Sequence, residues 1–92
     1  MRADLDEEKD ERLAALAAGG DRDAFDVLVT RHRHAVYRLC WSAAGNAADA
    51  DDAAQETFVR VYRSLPSYDP ARPFGPWLRK IAWNCGLSVR RD

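Results

Sequence analysis

Between the glycine pair Gly19-Gly20 and the break at Gly45-Asn46, positions Phe25, Leu28, Val29, His32, Val36, Leu39, Cys40 and Ala43 recur at steps of three and four residues. That period, held over about five turns, commits the segment to a helix with one long buried stripe. Asp21 can cap its start, and Asp23 sits favourably in its first turn. A helix so striped must lay its apolar face against something. No alternating run long enough for a half-buried strand occurs elsewhere in the 92 residues. Other helices must therefore cover it. The expected fold is all-α: a small bundle of three main helices plus an N-terminal one.

The N-terminal helix is expected over about 4–18, with Leu5, Leu13, Leu16 and Ala17 as its sparse apolar face and Gly19-Gly20 as its left-handed end. A third helix is expected over about 47–65, capped by Asn46. On it Ala50, Ala54, Phe58, Val61, Tyr62 and Leu65 fall on one side at 100° per residue. Asp52, Gln55, Glu56, Val59 and Arg63 fall on the other. "PSYDPARP" (Pro66–Pro73) has three prolines and reads as a stiff loop that displays Tyr68 and Asp69. The last helix begins near Phe74, and Pro76 is tolerable in its first turn. Trp77, Leu78, Ile81, Ala82, Cys85 and Val89 make its core face, while Arg79, Trp83, Gly86 and Arg90 form a second stripe.

Several function classes drop out. No apolar run approaches the roughly 18 residues of a membrane span, and the acidic "MRADLDEEKDER" lacks the apolar core of a secretory signal. A cytoplasmic protein without membrane contact is the default. Cys40 and Cys85 lie within apolar patterns and read as buried free thiols rather than a disulfide. His32 and His34 are two apart, point to nearly opposite sides of a helix and cannot share a metal ion. Both read as surface or boundary residues. Gly-rich phosphate loops and GxSxG or HExxH motifs are missing, and the carboxylates at 49–56 lack the spacing of a calcium loop. Neither an enzyme nor a cofactor is expected.

Charge is distributed unevenly. Residues 1–56 hold thirteen Asp/Glu against seven Lys/Arg, a net of −6; residues 57–92 hold seven Lys/Arg against two Asp, a net of +5; together they give the overall −1. The basic C-terminal third also contains Tyr62, Tyr68, Phe74, Trp77 and Trp83, a composition suited to single-stranded nucleic acid. Trp83, between Arg79 and Gly86 on one line, offers either a stacking plane with close backbone access or a core residue packed under the first helix. The third helix's polar stripe reads from pattern alone as a solvated face, with an interface as the alternative, and Val59 among the carboxylates counts slightly against the solvated face.

Three blocks carry a resemblance: "DRDAFDVLVTRHRHAVYRL", "NAADADDAAQETFVRVYRSL" and "YDPARPFGPWLRKIAWN". Together, in order and spacing, they resemble region 2 of an extracytoplasmic-function (ECF) sigma factor of the sigma-70 superfamily, with residues 1–92 as one such domain. The resemblance implies a transcription initiation factor whose third helix docks on the clamp coiled coil of the RNA polymerase β′ subunit. Asp52, Gln55, Glu56 and Val59 would face that coiled coil, with Asp49 and Arg63 at the ends. It further implies that the loop and last helix (66–91) recognise the −10 promoter element as single-stranded non-template DNA and help melt it. Tyr68, Asp69, Arg72 and Phe74 would build a pocket for a flipped base. Trp77, Arg79, Lys80, Trp83 and Asn84 would follow the strand, with Arg90 continuing the basic stripe. An anti-sigma factor is the other implied partner. Trp77 is core by its period and DNA-facing by the resemblance, and both readings stay open here.

Gly75-Pro76, Trp83 and Gly86 depart from the family's usual residues, and Gly86 weakens a helix by about 1 kcal/mol against alanine. A region 4 domain, which reads the −35 element in sigma factors, is absent from this sequence, so the chain is expected to be a region 2 fragment. The rival reading is a helical protein-interaction module, a sigma mimic that binds a protein partner without DNA.

Overall fold

The computed structural model describes residues 3–91, and the side chains of residues 4–89. Four α-helices follow one another: α1 (Asp10–Ala18), α2 (Arg22–Ala44), α3 (Ala47–Ser64) and α4 (Phe74–Arg91). Short 3₁₀ segments lie at Ala3–Glu7 and Leu65–Ser67. The described residues contain no strand, so the fold is all-α.

Both ends of α2 and the start of α3 have local causes. The Asp21 carboxylate accepts the Ala24 N–H at 3.2 Å and starts α2. Gly45, at φ 91°, closes it in the left-handed conformation, with its N–H on the Trp41 carbonyl at 2.8 Å. Asn46 Oδ1 then accepts the Asp49 N–H at 2.9 Å and starts α3.

The single helix expected over about 4–18 is two pieces, parted at Glu8 and Lys9. Arg31 of α2 spans the break. Its guanidinium donates to the carbonyls of Leu5 at 3.4 Å and Asp6 at 2.6 Å, and to the Asp10 carboxylate at 3.1 Å. The Leu5 carbonyl also accepts the Glu8 N–H at 3.2 Å, so Arg31 clamps a tight 3₁₀ turn to α2, and Leu5 is buried in the core.

α2 is the central element. At 1.5 Å per residue its 23 residues run about 35 Å, close to the 38 Å long axis of the molecule, and α1, α3 and α4 all pack on it. Leu5, Leu13, Leu28, Val36, Val61, Leu65 and Phe74 are the large residues it buries with them. Each contributes on the order of 1.5–3 kcal/mol of transfer free energy. Cys40 and Cys85 are buried free thiols.

Two helix faces differ from the sequence reading. On α3 the buried residues are Ala50, Ala53, Thr57 and Val61, while Tyr62 is 47% exposed and Phe58 only half-buried. The core side is rotated toward small residues that pack against both α2 and α4. Thr57 fits there because its hydroxyl donates to the Ala53 carbonyl at 2.7 Å, leaving no orphaned polar atom. The second difference is Gly86, which is buried in the α2–α4 seam. A Cβ there would lie 2.6 Å from Ala43 Cβ and 3.1 Å from the Cys40 carbonyl. Its want of a side chain serves helix packing, so it gives no backbone access to a ligand.

Candidate functional site

Two surfaces collect the residues singled out by sequence. The first is the outer face of α3. Asp52, Gln55 and Arg63 are exposed, Glu56 is half-buried, and Val59 is 41% exposed. Glu56 Oε1 accepts from Arg60 Nε at 3.3 Å within the helix. Asp49 has a capping role as well: it is half-buried, and Asn46 Nδ2 donates to its carboxylate at 2.8 Å.

Beside this stripe lies an apolar shelf that the helical wheel had assigned to the core. Phe25 of α2 and Tyr62 meet edge to face, with ring centroids 5.1 Å apart. With Gln55, Phe58, Val59 and Arg63 they line a shallow depression of about 420 Å³. Apolar groups beside carboxylates and an arginine are the composition of a protein interface with a polar rim.

The second surface surrounds the loop between α3 and α4. Ser67, Tyr68, Asp69, Arg72, Pro73, Pro76, Trp77 and Lys80 line an open pocket of about 810 Å³. The structure thus brings Tyr68, Asp69, Arg72, Trp77 and Lys80 together. Its loop is held from within. Asp69 Oδ1 accepts the Ala71 N–H at 2.9 Å, the Asp69 carbonyl accepts the Arg72 N–H at 2.9 Å, and the Tyr68 hydroxyl donates to the Arg72 carbonyl.

An aromatic cluster forms the floor. Tyr68 lies 4.9 Å from Trp77, and both lie 5.6 Å from Phe74, centroid to centroid. His32 completes it, 5.6 Å from Phe74, with Nε2 2.9 Å from the Asp10 carboxylate. Burial raises the Tyr68 hydroxyl above the ordinary phenol range, helped by the charges of Glu11, Asp69 and Asp10. It therefore stays a donor to Arg72.

Phe74 needs a correction. It is 1% exposed and belongs to the core, so it carries the pocket from beneath and is no part of its wall. Tyr68, at 7% exposure, shows the pocket only an edge. Trp77, which period made core and resemblance made DNA-facing, is both: half-buried on Phe74 and lining the pocket.

Lys80 and Asn84 are exposed one turn apart on α4, and Trp83 is 41% exposed rather than packed under α1. Arg79 turns elsewhere, into a cleft between α2 and α4 that His32, Arg38, Leu39 and Ser42 also line. The Arg90 side chain lies outside the described residues. Chemically, the pocket joins flat apolar walls to one carboxylate and two cations, which suits an unstacked base with its phosphate.

Sequence reasoning missed Ser67, Pro73 and Pro76 as lining, and Glu11 altogether. The Phe74 N–H donates to Glu11 Oε2 at 2.8 Å, across 63 residues of sequence. One signal was available: Pro73, just before α4, has no side chain able to cap it.

Residues 28–92 match the family described as Sigma-70 region 2. The chain is 43% identical over 69 residues to the ECF RNA polymerase sigma factor SigW of Bacillus subtilis, covering 75% of this chain and 37% of SigW. It is 42% identical over 86 residues to the sigma factor CnrH of Cupriavidus metallidurans, covering 94% of this chain and 43% of CnrH. The chain therefore spans less than half the length of either relative. Among solved structures, an engineered region 2 of sigmaE in complex with GTAAAA superposes with a TM-score of 0.83 at 34% identity, over 96% of this chain and 88% of that one. CnrH in complex with the cytosolic domain of CnrY superposes with a TM-score of 0.80 at 40% identity, over 89% and 53%. This chain belongs to the sigma-70 region 2 family, in its ECF branch. Its relatives are transcription factors and not enzymes. No described helix is long and apolar enough to cross a membrane.

Proposed function

We propose that this chain acts in transcription initiation in the cytoplasm, docking α3 on the β′ clamp coiled coil of core RNA polymerase and holding the opened −10 non-template strand on the α4 pocket. The observation that carries the reading is the pocket itself. Tyr68, Asp69 and Arg72 of the loop and Trp77 and Lys80 of α4 converge on one recess with an aromatic lining and a charged rim. Unstacking a base costs a few kcal/mol, and such a recess offsets that cost once the base is out. The relative solved with GTAAAA supports a single-stranded ligand. Lys80, Trp83 and Asn84 would continue the track along α4, and Arg79 would act from its side. Asp52, Gln55, Glu56, Val59 and Arg63 would face the polymerase, with Asp49 ordering the start of the helix.

The CnrH complex with CnrY supports an anti-sigma factor as a second protein partner. The exposed apolar shelf of Phe25, Val59 and Tyr62 also suits a module that binds protein alone, and nucleic-acid binding separates the two readings. A labelled −10-like single strand should bind the native chain with salt-dependent affinity. Trp83→Ala should weaken it while leaving the fold intact, since stacking is worth about 1–3 kcal/mol per base. No binding at any salt concentration would leave the protein-only module standing.

A further inference from the structure

α2 and α3 each begin on a capping side chain of their own, Asp21 and Asn46. α4 begins after Pro73, which has none. Its first N–H, at Phe74, is met instead by the carboxylate of Glu11, arriving from α1 at 2.8 Å in a partly buried setting. A carboxylate at that place also faces the positive end of the helix dipole. We propose that Glu11 is a positioning residue for the pocket: by capping α4 it fixes the Phe74 backbone, and with it the Trp77 ring and the Tyr68 edge that line the recess for an unstacked base. The inference rests on the single-strand reading of the pocket given above.

The route from Glu11 to the pocket is short. Phe74 contacts both Tyr68 and Trp77 at 5.6 Å, so displacement of its backbone moves two rings of the site. Tyr68 ties the far side of the loop to Arg72. Glu11 is itself held, because its neighbour Asp10 meets Arg31 at 3.1 Å and His32 at 2.9 Å, both on α2. The loop is thus fastened at three places: at Leu65 by the core, at Arg72 by Tyr68, and at Phe74 by Glu11. Glu11 lies outside residues 28–92, the stretch that matches the family, and on a helix remote from the loop in sequence.

The test compares the native chain with Glu11→Ala and Glu11→Gln. Glutamine keeps an oxygen that accepts the Phe74 N–H, so it serves as the rescue. Three quantities are read: hydrogen exchange at the Phe74 amide, affinity for the single-stranded hexanucleotide GTAAAA and for a mixed-sequence hexamer pool, and affinity for core RNA polymerase. Glu11→Ala should speed Phe74 exchange and lower hexamer affinity about tenfold, the scale of one charge-assisted hydrogen bond, with polymerase affinity unchanged. Glu11→Gln should recover most of that loss. Native hexamer affinity in Glu11→Ala overturns the proposal. So does an equal loss of hexamer and polymerase binding, which would make Glu11 a general stabiliser. Failure of the native chain to bind any hexamer defeats the single-strand reading first, and the role of Glu11 in strand binding falls with it; Phe74 exchange then reports separately whether the carboxylate holds the loop.

Discussion

On α3, the residues proposed to meet a partner stand on the outside of one regular helix, and the Glu56–Arg60 pair lies within it. Round the α4 pocket, the contributing side chains come from a loop, a helix and, through Glu11, the far end of the chain. One surface is a straight face carried by a single helix of the bundle. The other is assembled from separate pieces and held in shape by hydrogen bonds and an aromatic cluster. The difference follows from what each would receive. A coiled coil is itself rigid and fits a straight face. A flexible single strand loses freedom on binding, so a recess already in shape saves part of that cost.

This contrast predicts an order of effects. Phe74→Ala should be largest, costing about 3–5 kcal/mol. That is a large share of the 5–15 kcal/mol typical of a domain, so urea unfolding should show a sharply lower midpoint and both surfaces should fail. Intact polymerase binding in that variant would mean the α3 face folds independently of the pocket.

Gly86→Ala comes next. Alanine favours an exposed helix by about 1 kcal/mol, but here its Cβ meets Ala43 and the Cys40 carbonyl. A net loss of about 1–3 kcal/mol is expected. Because α4 must move from α2, single-strand binding should suffer more than polymerase binding. A stabilised variant would mean the seam can relax.

Tyr68→Phe removes the donor to the Arg72 carbonyl and should cost about 1 kcal/mol, reducing oligonucleotide affinity several-fold and leaving polymerase affinity alone. The same residue sets a pH dependence. Burial raises both the Tyr68 hydroxyl and the Cys40 thiol, the latter against the lowering effect of its contact with Thr57. The folded chain then keeps protons that the unfolded chain releases. Stability therefore falls as pH climbs past the ordinary thiol and phenol range of about 8.5–10. Tyr68→Phe should flatten that fall, as urea midpoints measured between neutral and strongly alkaline pH would register.

Smallest is Arg60→Ala. It breaks a half-exposed i,i+4 pair and should change stability by no more than about 0.5 kcal/mol. A larger change in thermal unfolding would show that the α3 face is more tightly organised than its geometry implies.

Legibility in the sequence follows the same division. Periodicity and the breaks at Gly19-Gly20 and Gly45-Asn46 reveal an all-helical chain, because each is a local signal. The stripe of Asp52, Gln55, Glu56, Val59 and Arg63 was readable for the same reason: it occupies one helix. The wheel misplaced Tyr62 because period alone does not tell which edge of an apolar face a neighbour covers. Thr57 escaped notice because its buried hydroxyl is satisfied by its own helix. The break at Glu8 and Lys9 is spanned by Arg31, more than twenty residues away. Phe74 and Glu11 were the hardest, since both roles arise only when α1 and α4 meet.

The central claim is that one chain carries two separable surfaces. The direct measurement is binding of core RNA polymerase and of the GTAAAA single strand, side by side, to the native chain and to one with Gln55→Ala and Glu56→Arg. The account predicts that the altered chain stays folded, loses polymerase affinity and keeps the affinity for the single strand. Unchanged polymerase binding would contradict it by removing the outer face of α3 as the dock, and so would loss of both affinities in a folded chain.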